Sequence, residues 1–130
     1  MKILSHKFFN SKKETSYYSQ LYKKINFEES YPADVKRLEI FKSLIKKYKP
    51  KTIVDAGCGA GMPLIQIKKM GFNIIGYDKA KNMVKEAKAN LIKYKLPKNL
   101  IDIGNFENPK HIKDNSIDCI LGMGTFYYSK

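Results

Sequence analysis

One stretch constrains this chain more than any other: Thr52-Ile53-Val54-Asp55-Ala56, followed at once by Gly57-Cys58-Gly59-Ala60-Gly61. The β-branched run reads as a buried strand. Three glycines at alternate positions let the backbone turn sharply, with no Cβ to block anything lying against it. Residues 61–70 then place Leu64, Ile65 and Ile67 on a helical stripe. Pro63 falls in the first turn of that helix, where its missing N–H costs nothing. Strand, glycine turn and helix in succession aim the helix N-terminus at whatever occupies the turn.

The alternation continues downstream. Phe72 to Asp78 reads as a second strand and Lys79 to Leu96 as a second helix carrying Met83, Val84, Ala87, Leu91 and Ile92. Leu100 to Ile103 reads as a third strand and Ile117 to Leu121 as a fourth. Strands alternating with helices predict an α/β fold, with a mostly parallel sheet and helices on its faces. Residues 1–50 are polar, aromatic and Lys-rich, with helical periodicity and no clear strand. Within them, Pro32 to Tyr48 spaces Val35, Leu38, Phe41, Leu44, Ile45 and Tyr48 three and four apart, before Lys49-Pro50 ends the helix. The expectation is one domain over residues 1–130: a helical N-terminal cap (1–50) and an α/β core (51–130). Ligands of such sheets lie beyond the carboxyl ends of the strands, so the functional residues are sought just after each one.

Composition removes several classes. No stretch approaches the ~18 apolar residues of a spanning helix, and MKILSHKFFNSKK lacks the apolar core of a secretion signal. Cys58 and Cys119 make neither a disulfide framework nor a metal-ligand spacing. A cytoplasmic protein without a membrane or metal partner is expected. The net charge of +13 would suit a nucleic-acid binder. Yet Arg37 is the only arginine among 25 basic residues, and the lysines are scattered in pairs such as Lys23-Lys24 and Lys68-Lys69. Arginine's planar fork is what phosphate recognition favours, so nucleic acid remains a possible partner but not the favoured one.

The loop chemistry narrows the ligand. A dinucleotide fingerprint runs G-x-G-x-x-G, whereas this loop runs G-x-G-x-G with Met62 after it. Asp55 would repel a pyrophosphate and favour a ligand carrying an ammonium or sulfonium; alternatively its carboxylate is hydrogen-bonded to loop N–H groups. Asp78, at the end of the second strand, can accept both hydroxyls of a ribose, or cap the helix that begins at Lys79, or do both.

The segment Val54-Asp55-Ala56-Gly57-Cys58-Gly59-Ala60-Gly61 resembles the glycine-rich signature of class I S-adenosylmethionine-dependent methyltransferases, and the resemblance runs through most of the chain. It implies a Rossmann-like three-layer sandwich with S-adenosyl-L-methionine as cofactor. In that likeness the loop Asp55, Ala56, Gly57, Cys58, Gly59 and Gly61 wraps the methionine part, Asp55 helps hold the amino group, and Asp78 grips the ribose. Lys79 or Ala80 would lie against the adenine, with Met83 one turn on and more at home in the core. Asn105 stands where the family often has Asp, with Phe106 offering a backbone N–H beside the ring; a plain turn is the other reading of Asn105. Gly122 would let the backbone approach the cofactor, and Tyr127 and Tyr128 stand where family members often carry His or Tyr.

Further residues have weaker signals. Tyr17, Tyr18, Tyr22 and Tyr31 can form a lid, and Arg37 is a candidate partner for the cofactor carboxylate or an ordinary surface residue. Cys119 reads as a small buried residue, and His6 and His111 show no partner pattern. The resembled family has a seven-stranded sheet ordered 3-2-1-4-5-7-6, of which this sequence supplies strands one to four. The chain is therefore expected to be truncated after strand four, half of a split enzyme, or an oligomer completing its own sheet, with an open apolar edge at strand four for a second copy or a partner to cover. The function expected is methyl transfer from S-adenosylmethionine to an unidentified acceptor, a small molecule by preference, with no catalytic residue assignable. A non-catalytic cofactor-binding subunit, a nucleic-acid methyltransferase and, more distantly, a nicotinamide-dependent oxidoreductase are the alternatives.

Overall fold

The computed structural model describes residues 8–20, 32–123, 125 and 126. His6, Tyr22, Tyr31, Gly124, Tyr127 and Tyr128 lie outside the described residues. The elements are α1 (Lys12–Gln20), α2 (Pro32–Tyr48), β1 (Ile53–Ala56), α3 (Met62–Lys69), β2 (Ile74–Asp78), α4 (Lys81–Lys93), a short 3₁₀ turn (Lys98–Leu100), β3 (Ile101–Ile103) and β4 (Cys119–Leu121). The four strands form one parallel sheet in the order β3-β2-β1-β4. This is the α/β architecture with a parallel sheet expected from the alternation, and the Rossmann-like one that the resemblance implied. The chain runs outward from β1 through β2 to β3 and then returns to β4 on the other side of β1, so the topological switch point lies at the carboxyl ends of β1 and β4.

Parallel pairing in register Ile53–Ile74, Asp55–Gly76, Gly76–Ile101 and Asp55–Leu121 puts these residues on one face of the sheet. Leu38 and Ile45 of α2, Leu64, Ile65 and Ile67 of α3, and Val84, Ala87 and Leu91 of α4 pack onto that face as one core. Val54, Ala56 and Ile120 alternate to the opposite face, where the chain after β3 folds back and His111 stacks on Tyr77 at 6.5 Å between centroids.

Most boundaries shift inward from the sequence expectation. The second strand begins at Ile74, not Phe72, and the fourth at Cys119, not Ile117. At the start of β4, Asp118 is occupied elsewhere: its Oδ2 accepts from the backbone N–H of Lys51 (2.9 Å) and Thr52 (3.0 Å). The helix expected to reach Leu96 ends at Lys93, because Lys95 adopts a left-handed conformation and the Leu96 N–H closes back onto the Leu91 carbonyl. That closure satisfies carbonyls a helix end otherwise leaves open. Ile92, expected on the apolar stripe, is 63% exposed, as are Leu44 and Tyr48 in large part. Cys119 is half-buried, where a buried residue was expected.

Candidate functional site

Asp78 organises the strand ends. Its Oδ2 accepts from the Gly59 N–H (2.8 Å), its Oδ1 from the Ala80 N–H (2.8 Å), and its main-chain carbonyl from Gly104 N–H (3.1 Å). One residue therefore ties the glycine loop, the turn into α4 and the end of β3 together. The expected helix-capping role is not found: α4 starts at Lys81 with Ala80 as its N-cap, and Asp78 instead closes a local turn. Each carboxylate oxygen has a second lone pair, so Asp78 still has acceptor capacity toward a ribose.

The glycine loop crosses over β2, with the Gly57 and Cys58 N–H groups both donating to the Tyr77 carbonyl. All three loop glycines have positive φ, but the space beside each serves a different end. At Gly57 a Cβ would collide with the side chain of Thr125. At Gly61 it would lie 2.7 Å from Ile101 Cδ1 and 3.3 Å from Ala87 Cβ, so that glycine is a packing requirement of the core. At Gly59 nothing among the described residues lies within 4 Å of an added Cβ. Only there does the missing side chain leave open room for a ligand.

Asp55 is the most telling group. It is 2% exposed in the middle of the sheet, and its Oδ2 has no hydrogen-bond partner among the described residues. Burial first, and the nearby Asp78 second, push its carboxyl up to about 7. The alternative expectation, a carboxylate held by loop N–H groups, is not what Oδ2 shows; those of Gly57, Cys58, Gly59 and Gly61 go to Tyr77, Asp78 and Cys58. A buried acceptor with nothing to accept from costs ~1–3 kcal/mol, and a donor, above all a cationic one, relieves that cost. The carboxyl of Asp78 is raised too, again by burial, opposed by its bonds to Ala80 and Gly59. Burial and then Asp55 push the Cys58 thiol well up, so it is not a thiolate nucleophile.

These groups line a cleft of about 240 Å³ at the carboxyl ends of β1 and β2. Of the residues expected to bind cofactor, Arg37, Asp55, Gly57, Cys58, Gly59, Asp78, Lys79 and Phe106 are there. Arg37 reaches it from α2 while paired with Asp34 at 3.0 Å. Lys79 pairs with Glu107 (2.7 Å) and lies over the Phe106 ring, closing one wall. Four expected residues are elsewhere. Ala56 and Asn105 line a second cavity, of about 410 Å³, on the opposite face of the sheet, and Asn105 Oδ1 accepts from the Glu107 N–H in a turn. Gly61 is in the core, and the space beside Gly122 is taken by the Phe126 ring.

The cleft also includes residues without a site signal in the sequence: Phe9, Asp34, Met123 and Thr125. Asp34, three residues before Arg37 on a helix, was the readable one among them. Of the expected aromatic lid, Tyr18 lines the cleft; Tyr17 does not, although its ring packs edge-on against Tyr18. Met83 is both core and wall, 1% exposed beside Ala60 and Ala80.

The residues present fit S-adenosyl-L-methionine: a buried orphan carboxylate for its ammonium, an open glycine for close approach, and an acid at the next strand end for its ribose. Among the described residues no helix is long and apolar enough to cross a membrane.

Comparison with known proteins agrees. No curated protein matches the sequence. Among solved structures, the chain is similar to a candidate S-adenosyl-L-methionine-dependent methyltransferase from Methanococcus maripaludis, with a TM-score of 0.72 at 22% identity over 93% of this chain and 53% of that one. Magnesium protoporphyrin IX methyltransferase from Synechocystis PCC 6803, solved with bound SAH, aligns with a TM-score of 0.65 at 18% identity, over 93% and 57% of the two chains. A candidate caffeoyl-CoA O-methyltransferase from Staphylococcus aureus aligns with a TM-score of 0.57 at 25% identity, over 65% and 42%. The chain thus spans about half the length of each of these proteins. Residues 47–130, which hold the sheet, the glycine loop and Asp78, match the family described as methyltransferase domain. The chain belongs to that methyltransferase-domain family.

Proposed function

We propose that the chain binds S-adenosyl-L-methionine in the cleft at the ends of β1 and β2 and serves its transfer of a methyl group to a small-molecule acceptor. The observation that carries this reading is the unpartnered Oδ2 of Asp55, buried beside a glycine loop and across from Asp78. When bound, S-adenosyl-L-methionine supplies an electrophilic methyl group on a sulfonium, whose thioether leaves without protonation.

The residues of the chain then act by binding and orientation. Asp55 accepts from the ammonium and is held ionised by it. Asp78 accepts from the ribose hydroxyls while keeping the Gly59 N–H in place. Arg37, already oriented by Asp34, meets the carboxylate. Lys79 and Phe106 flank the base. Fixing the donor in this way supplies rate by alignment with the acceptor, without an obligatory general base. A small-molecule acceptor is supported by the charge pattern, in which the single arginine is committed to the cleft and no arginine forks remain for a nucleic-acid backbone.

Calorimetric titration with S-adenosylmethionine, S-adenosylhomocysteine and NAD tests the reading, on the native protein and on Asp78→Ala. The first two should bind saturably and weaken roughly tenfold or more in the variant. Preferential binding of NAD would overturn it. Labelled methyl transfer to added acceptors separates a catalyst from a cofactor-binding subunit.

A further inference from the structure

The N-terminal segment of Asn10 and α1 is attached to the α/β core at two points along α4. At the first, Asn10 Oδ1 accepts from the Asn82 backbone N–H at 2.9 Å. Asn82 lies in the first turn of α4, whose N-cap, Ala80, has no side chain able to cap it. Asn10 thus caps a helix in another part of the sequence, as local Asn and Asp residues cap their own. At the second point, eight residues along α4, Ser19 meets Asn90, its Oγ lying 3.0 Å from Nδ2 and 3.2 Å from Oδ1. Between the two, Phe9 and Tyr18 pack on Ala60, Ala80 and Met83.

Asn90 has a second bond. Its Nδ2 donates to the main-chain carbonyl of Ala60 at 3.0 Å. Ala60 lies between Gly59 and Gly61, within the loop that borders the cleft. Asn90 is 4% exposed and Ser19 3% exposed, so neither is solvated in place of these bonds. A helix interior gives no reason for a buried asparagine, which is a poorer helix former than leucine. Its amide is what a donor to a loop carbonyl and a partner to a hydroxyl require together.

We propose that Asn90 is a positioning residue that couples the N-terminal helix to the glycine loop, so that α1 seated over the cleft and the ligand-ready loop backbone are one state. Ala60 is the junction: it belongs to the small buried cluster on which Phe9 and Tyr18 pack, and its carbonyl accepts from Asn90. A ligand ordering the loop then orders α1, and loss of α1 from its seat loosens the loop. The reciprocity is thermodynamic and holds in either direction. The inference rests on the cleft being the S-adenosylmethionine site only for the identity of its ligand probe; the coupling itself is a property of the protein alone.

The test uses Ser19→Ala, Asn90→Ala and the double variant, with two measurements. The first is amide hydrogen exchange without ligand. Ser19 bonds to Asn90, whose amide in turn donates to Ala60, so Ser19→Ala should speed exchange at the Gly61 and Met62 amides as well as within α1. Faster exchange confined to α1 would overturn the coupling, whether or not any cofactor binds. The second is S-adenosylhomocysteine affinity by calorimetry. Each single variant should weaken it roughly five- to thirty-fold, and the double variant no more than Asn90→Ala alone. Additive losses, or unchanged affinity in the single variants, would contradict the proposal. If the native protein binds no S-adenosylhomocysteine, the cofactor reading fails and the exchange measurement decides the coupling. Should Asn90→Ala not fold, Ser19→Ala alone decides both.

Discussion

At the scale of single residues, the three loop glycines separate into distinct roles and so into distinct expected phenotypes. Gly61→Ala adds a Cβ at positive φ against Ile101 and Ala87 in the core. It should cost roughly 2–4 kcal/mol of stability in urea unfolding, from backbone strain plus overpacking. Gly59→Ala meets open space and should cost only the ~1–2 kcal/mol of the left-handed backbone, while impairing S-adenosylhomocysteine binding. The sequence showed all three as one loop motif. What each faces is decided by Thr125, Ile101 and Ala87, distant in the chain and carrying no motif of their own.

Asp55 predicts a pH dependence of definite sign. Its carboxyl is raised to about 7 by burial and by Asp78, so the folded chain binds a proton more tightly than the unfolded one. The contribution of Asp55 to stability is therefore fully present below the ordinary carboxylate range of about 4, is lost as pH rises from there through about 7, and then levels off. Thermal unfolding between pH 5 and 8 should show this fall, flattened in Asp55→Asn. An Asp55→Asn profile as steep as that of the native protein would remove Asp55 as the cause. Binding of a ligand ammonium should reverse the trend locally, with affinity rising with pH and protons released on binding near neutrality.

At the scale of elements, burial sorts neighbouring residues that periodicity had grouped. Leu91 and Ile92 were both expected on the apolar stripe of α4, but Leu91 is in the core whereas Ile92 is exposed. Leu91→Ala should cost ~2–5 kcal/mol, and Ile92→Ala less than about 0.5 kcal/mol, by chemical denaturation. The parallel sheet was legible because strands of β-branched residues alternated with helical stripes, whereas its order β3-β2-β1-β4 was available only through the family resemblance. Element ends were less legible, since they depend on side-chain bonds such as the Asp118 clasp on Lys51 and Thr52 and on the left-handed Lys95. The docking of α1 on α4 was not legible at all. It depends on Asn10–Asn82 and Ser19–Asn90, polar pairs far apart in sequence that no periodicity marks.

At the scale of the whole molecule, charge and exposed apolar surface set how copies meet. The net charge of +13 favours dispersed chains at low ionic strength. Yet β4 is the outer strand of the described sheet, and its Ile120 is largely exposed. Apolar edge strands invite pairing. Sedimentation velocity should accordingly show self-association that increases with salt and is reduced by Ile120→Lys. A monomer at every salt concentration would show that this edge is not a site where copies meet.

The fold, the loop and the acid at Asp78 converge on one cleft, and the central claim is that its buried, unpartnered carboxylate awaits a cation. A crystal structure of the protein grown with S-adenosylhomocysteine tests this directly. The account predicts the ligand's ammonium within hydrogen-bonding distance of Asp55, its ribose on Asp78, and its chain passing over Gly59. A ligand bound with Asp55 still lacking a partner, or bound in the cavity on the opposite face of the sheet, would contradict it.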